Sequence, residues 1–370
     1  MTIRNLLLTG LLLLSGAVTS HAQAPDPIPY DRLAQRIATS LKVTKGERVL
    51  LRYDPTTLGP LEPVVKRLLT QQGAVVETLN YGPVQDFAAR LDKTDIYIWL
   101  PAGANAATPA DQRATLAAWL DAGKGRQIHF HWVGGTVDPD GRGGVHSAAF
   151  DKLYVDALDI DYAKLAAAQL KVVSALRTGE ARVTTPEGTD IRFRVGDRPF
   201  NRQDGDASKA RTDQSKMRVD REVELPAGVL RVAPIESSVS GVLVVPQARL
   251  LNDAKATGIR LEFANGKITK ATAATGQADL DAYLKSSPTL TSFREFALGF
   301  NNKLVRPAGS PYLPYYGYGD AVVRLSLGDN TELAGDVRGG ASRWLFFADT
   351  TVTVGDKQIV VNGHLTPSYR

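Results

Sequence analysis

The chain has 370 residues, no cysteine and a formal net charge of +5 at pH 7. Without cysteine, neither a disulfide framework nor a lipid-modified N-terminal cysteine is possible. The excess of positive charge is small and acidic residues are interspersed among the basic ones, so we expect no nucleic-acid partner.

The N-terminus has the pattern of a secretory signal. Arg4 precedes an apolar run over residues 6–18, and the small residues Ser20 and Ala22 stand at the spacing of a signal-peptidase site. We therefore expect residues 1–22 to be a signal peptide and the mature protein to be secreted or periplasmic. The run is shorter than the roughly 20 apolar residues that cross a bilayer, and no other stretch approaches that length, so we expect no membrane span.

Helices and strands alternate in the first part of the mature chain. Apolar residues at helical spacing predict helices at residues 32–41, 61–72, 109–122 and 162–169. Short apolar runs predict strands within residues 43–54, 74–82, 95–103 and 127–135. This alternation indicates βαβ units, so we expect an α/β domain with a mostly parallel sheet over residues 23–170.

The pattern changes after residue 170 to short alternating strands separated by turns. Asn265 and Gly266 stand between two alternating runs and predict a hairpin turn. The polar segment 201–222 predicts an exposed loop, a candidate lid at the domain interface. We therefore expect a β-rich α+β domain over residues 171–370.

Few motifs point to chemistry. The sequence contains no G-x-S-x-G elbow, no P-loop and no H-E-x-x-H helix. His129 and His131 are two residues apart in a predicted strand and so share a face, which suits metal chelation. The interleaved Phe130 and Trp132 favour the alternative that both are partly buried sheet histidines. The run DPDGRGG at 138–144 lacks the terminal Glu of a calcium loop and predicts a plain turn.

Five blocks in the second half carry a more specific signal, in the order 188–205, 225–241, 294–301, 317–347 and 350–363. Together they resemble the aminopeptidase T/aminopeptidase S family of metallopeptidases, which are leucyl aminopeptidase-like. Residues 30–54 also resemble that family's opening helix and strand. The resemblance implies an α/β N-terminal domain, a β-rich C-terminal domain that holds the active site, and a homodimer.

The resemblance also implies a two-metal site, and this sequence departs from it. The family's six ligand positions fall on Val229, Glu295, Arg324, Thr331, Arg343 and Leu345, so only Glu295 keeps a ligand side chain. A guanidinium has no lone pair to offer a cation and stays positively charged. We therefore expect no metal cofactor, with Zn, Co or Mn required only if the family activity is retained, and weak or absent peptide hydrolysis.

Three interpretations of these positions remain open. In the first, Glu295 forms ion pairs with Arg324 and Arg343 that hold the pocket without metal. In the second, one arginine clamps the carboxylate of a peptide or another small anion, as in a periplasmic pseudo-peptidase. In the third, hydrolysis persists with a rearranged ligand set, for which the candidate residues are Glu236, Asp329, Glu332 and His364.

An aromatic cluster precedes Arg324 and contains Tyr312, Tyr315, Tyr316 and Tyr318. It predicts either an aromatic loop packed on the domain edge or a rim for a peptide ligand. We include Tyr318 in the candidate pocket.

Overall fold

The computed structural model describes residues 28–101, 108–131, 139–140, 148–215, 217–306 and 313–370. The helices are α1 Tyr30–Leu41, α2 Leu61–Gln71, α3 Phe87–Leu91, α4 Ala110–Asp121, α5 Ala148–Leu158, α6 Tyr162–Leu176, α7 Lys209–Thr212 and α8 Gln277–Lys285. The strands are β1 Arg48–Tyr53, β2 Val75–Asn80, β3 Ile96–Trp99, β4 Arg126–Phe130, β5 Ala181–Thr184, β6 Asp190–Phe193, β7 Asn201–Gln203, β8 Glu222–Leu225, β9 Val229–Val232, β10 Ser240–Arg249, β11 Lys255–Ala264, β12 Lys267–Thr272, β13 Phe293–Gly299, β14 Val323–Gly328, β15 Ser342–Phe347, β16 Thr351–Val354, β17 Lys357–Val361 and β18 His364–Leu365.

The N-terminal part is a parallel sheet with helices on both faces. Its strand order is β2-β1-β3-β4-β8, and every neighbouring pair is parallel. Val49 and Leu51 of β1 join one apolar core with α1 and α2, whereas Leu50 between them joins a second core with α3 and α4. Successive side chains of a strand point to opposite faces, so this alternation buries the sheet on both sides.

The remaining strands of the described residues form two antiparallel sheets. One has eight strands in the order β12-β11-β10-β6-β5-β16-β17-β18, and the other has five in the order β15-β14-β13-β9-β7. Asn265 and Gly266 connect β11 to β12 with φ of 51° and 73°, as the two-residue hairpin requires. The predicted α/β region with a parallel sheet followed by a β-rich region is therefore confirmed.

The predicted exposed loop at 201–222 is wrong. This segment contains β7 and α7, and its residues Asn201, Gln203 and Ala207 are buried. The side-chain amide of Gln203 donates to the backbone carbonyls of Val219 and Glu222. These carbonyls therefore bond to protein instead of to solvent. Polar side chains that satisfy backbone groups internally allow such a segment to be buried.

The domain boundary at residue 170 stays a prediction. The helix α6 runs across it, and β8 lies in the second half of the sequence yet joins the parallel sheet beside β4. The predicted signal segment 1–22, the turn glycines at 141–144 and Tyr312 lie outside the described residues. No helix within the described ranges has the length and apolar character needed to cross a membrane.

The connection from β8 to β9 joins the parallel sheet to the five-stranded antiparallel sheet. Gly228 lies in it with φ of 152°, and a Cβ at this position would lie 2.6 Å from Cβ of Asn301. The Asn301 amide donates to the carbonyls of Ala227 and Ala157, at 2.8 and 3.0 Å. Close backbone approach at a glycine therefore brings the ends of the two sheets together.

Candidate functional site

Three neighbouring strands of the five-stranded sheet place charged residues in register. Ala297 of β13 is paired with Arg231 of β9 on one side and with Arg324 of β14 on the other. Glu295 lies two residues before Ala297 and therefore points to the same face of the sheet. The small Ala297 side chain leaves room for the two guanidinium groups to reach Glu295.

Glu295 is fully buried and is held from both sides. Nε and Nη2 of Arg231 donate to its Oε2 at 3.1 and 3.0 Å, and Oγ of Ser326 donates to its Oε1 at 3.1 Å. Nε of Arg324 lies 2.9 Å from Oε1, close enough for an ion pair although poorly aligned for a hydrogen bond. Paired in this way, the buried carboxylate is compensated for its loss of water.

Glu332 extends these contacts into a network. It accepts hydrogen bonds from Arg231 and from Arg294, whose Nε lies 3.9 Å from Glu295. We call Arg231, Arg294, Glu295, Arg324 and Glu332 the arginine–glutamate network. It contains three guanidinium groups and two carboxylates.

The network shifts the pKa of its carboxylates downward. Burial opposes the ionisation of Glu295, but Arg231, Arg324 and Arg294 outweigh it and hold its pKa well below the usual value. Burial likewise opposes ionisation of Glu332, and Arg231 and Arg294 lower its pKa. Both carboxylates are therefore charged at neutral pH.

Arg324 retains unused hydrogen-bonding capacity. Its Nη1 donates to the carbonyl of Tyr316 at 3.3 Å, and its guanidinium lies 4.8 Å from the ring centre of Trp344. Its Nη2 is buried and makes no hydrogen bond within the described part of the chain. A buried donor without a partner is rare in folded proteins.

Arg343 is paired with Asp140 and not with Glu295. Its Nη2 lies 3.4 Å from Oδ2 of Asp140 and donates to the carbonyl of Arg249 at 3.1 Å. The arginines around Glu295 are therefore Arg324, as the sequence suggested, together with Arg231 and Arg294 in place of Arg343.

The remaining candidate residues serve local structure. Val229 and Leu345 are buried apolar strand residues, and Thr331 donates to Asp329 in a turn. Glu236 is paired with Arg198 and accepts from Asn330 at 2.9 Å. His364 is exposed at the start of the last strand, β18.

The donors at the six family positions do not fit a pair of metal ions. Glu295 is the single ligand among them, and its two oxygens are occupied by Arg231, Ser326 and Arg324. A divalent cation placed beside Glu295 would meet three fixed positive charges.

A second cluster lies at the carboxyl ends of two parallel strands. His129 of β4 is paired with Glu224 of β8, and His131 follows directly after β4. One ligand atom from each of these three residues lies within 4.8 Å of the other two. We call His129, His131 and Glu224 the histidine–glutamate cluster.

Hydrogen bonds orient two members of this cluster. Nδ1 of His129 lies 3.1 Å from Oε1 of Glu222, and the hydroxyl of Tyr318 donates to Oε2 of Glu224. The rings of His129 and His131 have their centres 3.8 Å apart. Burial, and then the neighbouring His129, lower the pKa of His131 well below its usual value, so its ring is neutral at pH 7.

Aromatic residues surround His131. The rings of Tyr315 and Tyr316 each lie 5.3 Å from it, and that of Trp99 lies 5.5 Å away. Tyr315 and Tyr316 both have a φ of 49°, in the left-handed region that side chains avoid. Strained backbone of this kind collects at functional sites. Within the described residues, Tyr315 and Tyr316 thus pack against the histidine–glutamate cluster.

Sequence reasoning did not find Arg231, Glu222 or Glu224. Glu222 and Glu224 are two residues apart and so share a face of β8, as His129 and His131 share one side of the chain at β4. This matching i, i+2 spacing could have indicated a shared site. It does so only once β8 is known to pair with β4.

The fold and the two clusters define the class of protein as a two-part α/β and antiparallel β structure, with one polar cluster on the strands of each part. Residues 162–309, less than half of the chain, match the family model for thermophilic metalloprotease (M29). None of the curated proteins matches the chain.

Two solved structures are similar over nearly the whole chain. The 2,5-dihydroxypyridine dioxygenase from Pseudomonas putida KT2440 has 17% identity and a TM-score of 0.61, with 93% of this chain and 100% of that chain covered. Wild-type AmpT from Thermus thermophilus has 14% identity and a TM-score of 0.57, with 91% and 99% covered. At these identities the likeness shows the fold alone. With the M29 match, it supports a relationship to the metallopeptidase family and an aminopeptidase-like fold.

Proposed function

We propose that the chain is an exported, aminopeptidase-like protein that does not hydrolyse peptides through the six family ligand positions. The observation that carries this proposal is the pairing of Glu295 with Arg324 at 2.9 Å and with Arg231 at 3.0 Å. Metal-dependent hydrolysis requires a bound cation that lowers the pKa of water or polarises a carbonyl. Guanidinium groups already contact both oxygens of Glu295, which supports the absence of a bound cation there.

The test compares metal content and turnover in the untagged mature protein. We expect leucine-p-nitroanilide hydrolysis with added Zn²⁺, Co²⁺ or Mn²⁺ to be the same in the wild type and in Glu295→Gln. Turnover that disappears in a Glu295→Gln protein shown by thermal melting to be folded, but persists in His131→Ala, would overturn the proposal. So would two equivalents of bound metal per chain that His131→Ala leaves unchanged.

A second candidate function is the binding of a small carboxylate, such as a peptide C-terminus. It is favoured by Nη2 of Arg324, which has no hydrogen-bond partner among the described residues, and by the excess of three guanidinium groups over two carboxylates in the arginine–glutamate network. An added carboxylate would satisfy that donor and reduce the excess of positive charge.

Trp344 reports directly on this second function, because Arg324 lies over its ring. We expect the tryptophan fluorescence to change saturably with a dipeptide and not with the same dipeptide amidated at its C-terminus. The Arg324→Met variant should lose the response, and Arg343→Met, whose arginine is paired with Asp140, should keep it. Equal responses to acid and amide would reject a carboxylate clamp.

Export and assembly belong to the same proposal. The apolar run 6–18 and the small residues Ser20 and Ala22 support cleavage of a signal peptide. N-terminal sequencing of protein from a periplasmic fraction should begin after Ala22, and light scattering should give a homodimer mass. An uncleaved N-terminus in the cytoplasmic fraction would contradict export.

A further inference from the structure

The histidine–glutamate cluster has the donors of a metal site at a position separate from the six family positions. His129 and Glu224 are neighbours on adjacent parallel strands, and His131 lies next to them at the same strand ends. Carboxyl ends of parallel strands are where α/β sheets place their ligands. The three ligand atoms lie within 4.8 Å of one another. Bonds of about 2.0–2.1 Å to zinc need them at roughly 3 to 3.5 Å, which side-chain rotation can supply.

Two further residues hold the ligands as metal sites require. A proton on Nδ1 of His129, donated to Glu222 at 3.1 Å, leaves the lone pair on Nε2 for a metal. Tyr318 donates to Oε2 of Glu224, and no hydrogen bond within the described residues occupies Oε1. Carboxylate–histidine pairs and hydrogen-bonded carboxylates are the usual outer partners of metal ligands.

The two carboxylates at the cluster, Glu222 and Glu224, also favour a bound cation. Glu222 and Glu224 are only partly exposed, and no lysine or arginine of the described ranges lies within 4.0 Å of either carboxylate. Glu295, in contrast, has three arginines at 2.9 to 3.9 Å. Two enclosed carboxylates beside two imidazoles have the composition of a cation site.

We propose that His129, His131 and Glu224 bind one divalent transition-metal ion of the Zn²⁺ class, with Glu222 and Tyr318 as positioning residues. Two imidazoles and one carboxylate are a ligand set of catalytic zinc sites, in which the remaining position stays open to water or a substrate. The site shares no residue with the six family positions, so it does not rest on the proposed function.

The experiment titrates the untagged mature protein with Co²⁺, whose visible absorption reports ligand number and type, and with Zn²⁺ by calorimetry. We expect one equivalent of metal per chain. Glu224→Gln and His131→Ala should each weaken binding at least about 10-fold. His364→Ala, which removes an exposed histidine outside the cluster, is the matched control and should bind like the wild type.

Glu222→Gln tests the positioning role. It should keep one equivalent of metal but weaken affinity by about 10- to 100-fold and alter the Co²⁺ spectrum. Because Glu224→Gln is isosteric, it also guards against loss of fold, which thermal melting without metal checks directly.

Two results would overturn the inference. One is a folded wild type that binds no metal in the low-micromolar range. The other is binding that Glu224→Gln and His131→Ala leave unchanged. Glu295→Gln separates this inference from the proposed function, because metal bound by the histidine–glutamate cluster should survive that substitution, whereas metal bound at the family positions should not.

Discussion

Glu224 and Arg231 are joined by the short connection between β8 and β9, and each reaches a different cluster. Glu224 lies beside His129 and accepts from Tyr318, whereas Arg231 donates to Glu295 at 3.0 Å. The same few residues therefore carry a ligand to the histidine–glutamate cluster and a guanidinium to the arginine–glutamate network. A substitution in this connection should therefore alter the geometry of both clusters.

Removing the carboxylate of Glu295 should cost much stability. Glu295→Gln leaves Arg231 and Arg294 with Glu332 as their carboxylate partner and leaves the buried Arg324 with no carboxylate partner among the described residues. Breaking a buried pair on one side costs about 3–5 kcal/mol. Urea unfolding measures this change, and Asp190→Asn in the exposed pair with Arg182 should cost less than about 1 kcal/mol. A similar small effect for both variants would contradict a stabilising network.

Removing Arg324 should cost less than removing Glu295. Glu295 would keep Arg231 at 3.0 Å, and the network would then hold two guanidinium groups and two carboxylates. Arg324→Met also removes the buried Nη2, which has no hydrogen-bond partner in the described part of the chain. We expect about 1–2 kcal/mol, largely from lost packing against Trp344. The ranking of the two variants by urea midpoint is the measurement, and a reversed ranking would disprove the charge argument.

Stability should fall in acid because of the same carboxylates. The pKa of Glu295 and that of Glu332 are lower in the folded protein than the ordinary value of 4.5. Their contribution is therefore fully present above about pH 4.5 and is lost as pH falls through the folded pKa values. The free energy of unfolding, measured between about pH 6 and pH 3, should decrease more steeply in the wild type than in Glu295→Gln. Parallel curves would exclude Glu295 as a source of the acid sensitivity.

The sequence predicted the parts of the fold that depend on local periodicity. The helix at Tyr30–Leu41 and the strand at Arg48–Tyr53 follow from apolar spacing, and Asn265 and Gly266 specify their own turn. The strand β8 was missed because it is four residues long and follows a polar segment. Its pairing with β4 joins residues far apart in sequence, such as His129 and Glu224, which no local pattern shows.

The candidate site, too, was predicted from local sequence motifs but not from long-range strand pairing. Glu295 and Arg324 were found from their positions in the matched blocks, and the structure places them 2.9 Å apart. Arg231 lies in one of those blocks too, but its role depends on its pairing with Ala297 of the neighbouring strand β13. Arg343 is paired with Leu327, one residue beyond Ser326, and therefore points to the opposite face of the sheet, where it contacts Asp140.

Gly228 should couple the two clusters. An alanine there would place its Cβ 2.6 Å from Cβ of Asn301 and 3.0 Å from the carbonyl oxygen of Tyr318, whose hydroxyl orients Glu224. Overpacking of this kind costs about 1–3 kcal/mol, because backbone and side chains must shift. We therefore expect Gly228→Ala to lower stability and also to weaken Co²⁺ binding.

The control is Gly46→Ala, since Gly46 also has a positive φ, of 89°, but no atom of the residues that the structure describes lies within 4 Å of an added Cβ. Gly46→Ala should lower the free energy of unfolding only through its unfavourable backbone conformation and should leave Co²⁺ affinity unchanged. Urea unfolding and Co²⁺ titration on both variants separate the two effects. If Gly228→Ala lost stability while keeping the wild-type affinity and Co²⁺ spectrum, the connection would serve only packing, and Tyr318 would not be needed to hold Glu224 for a metal.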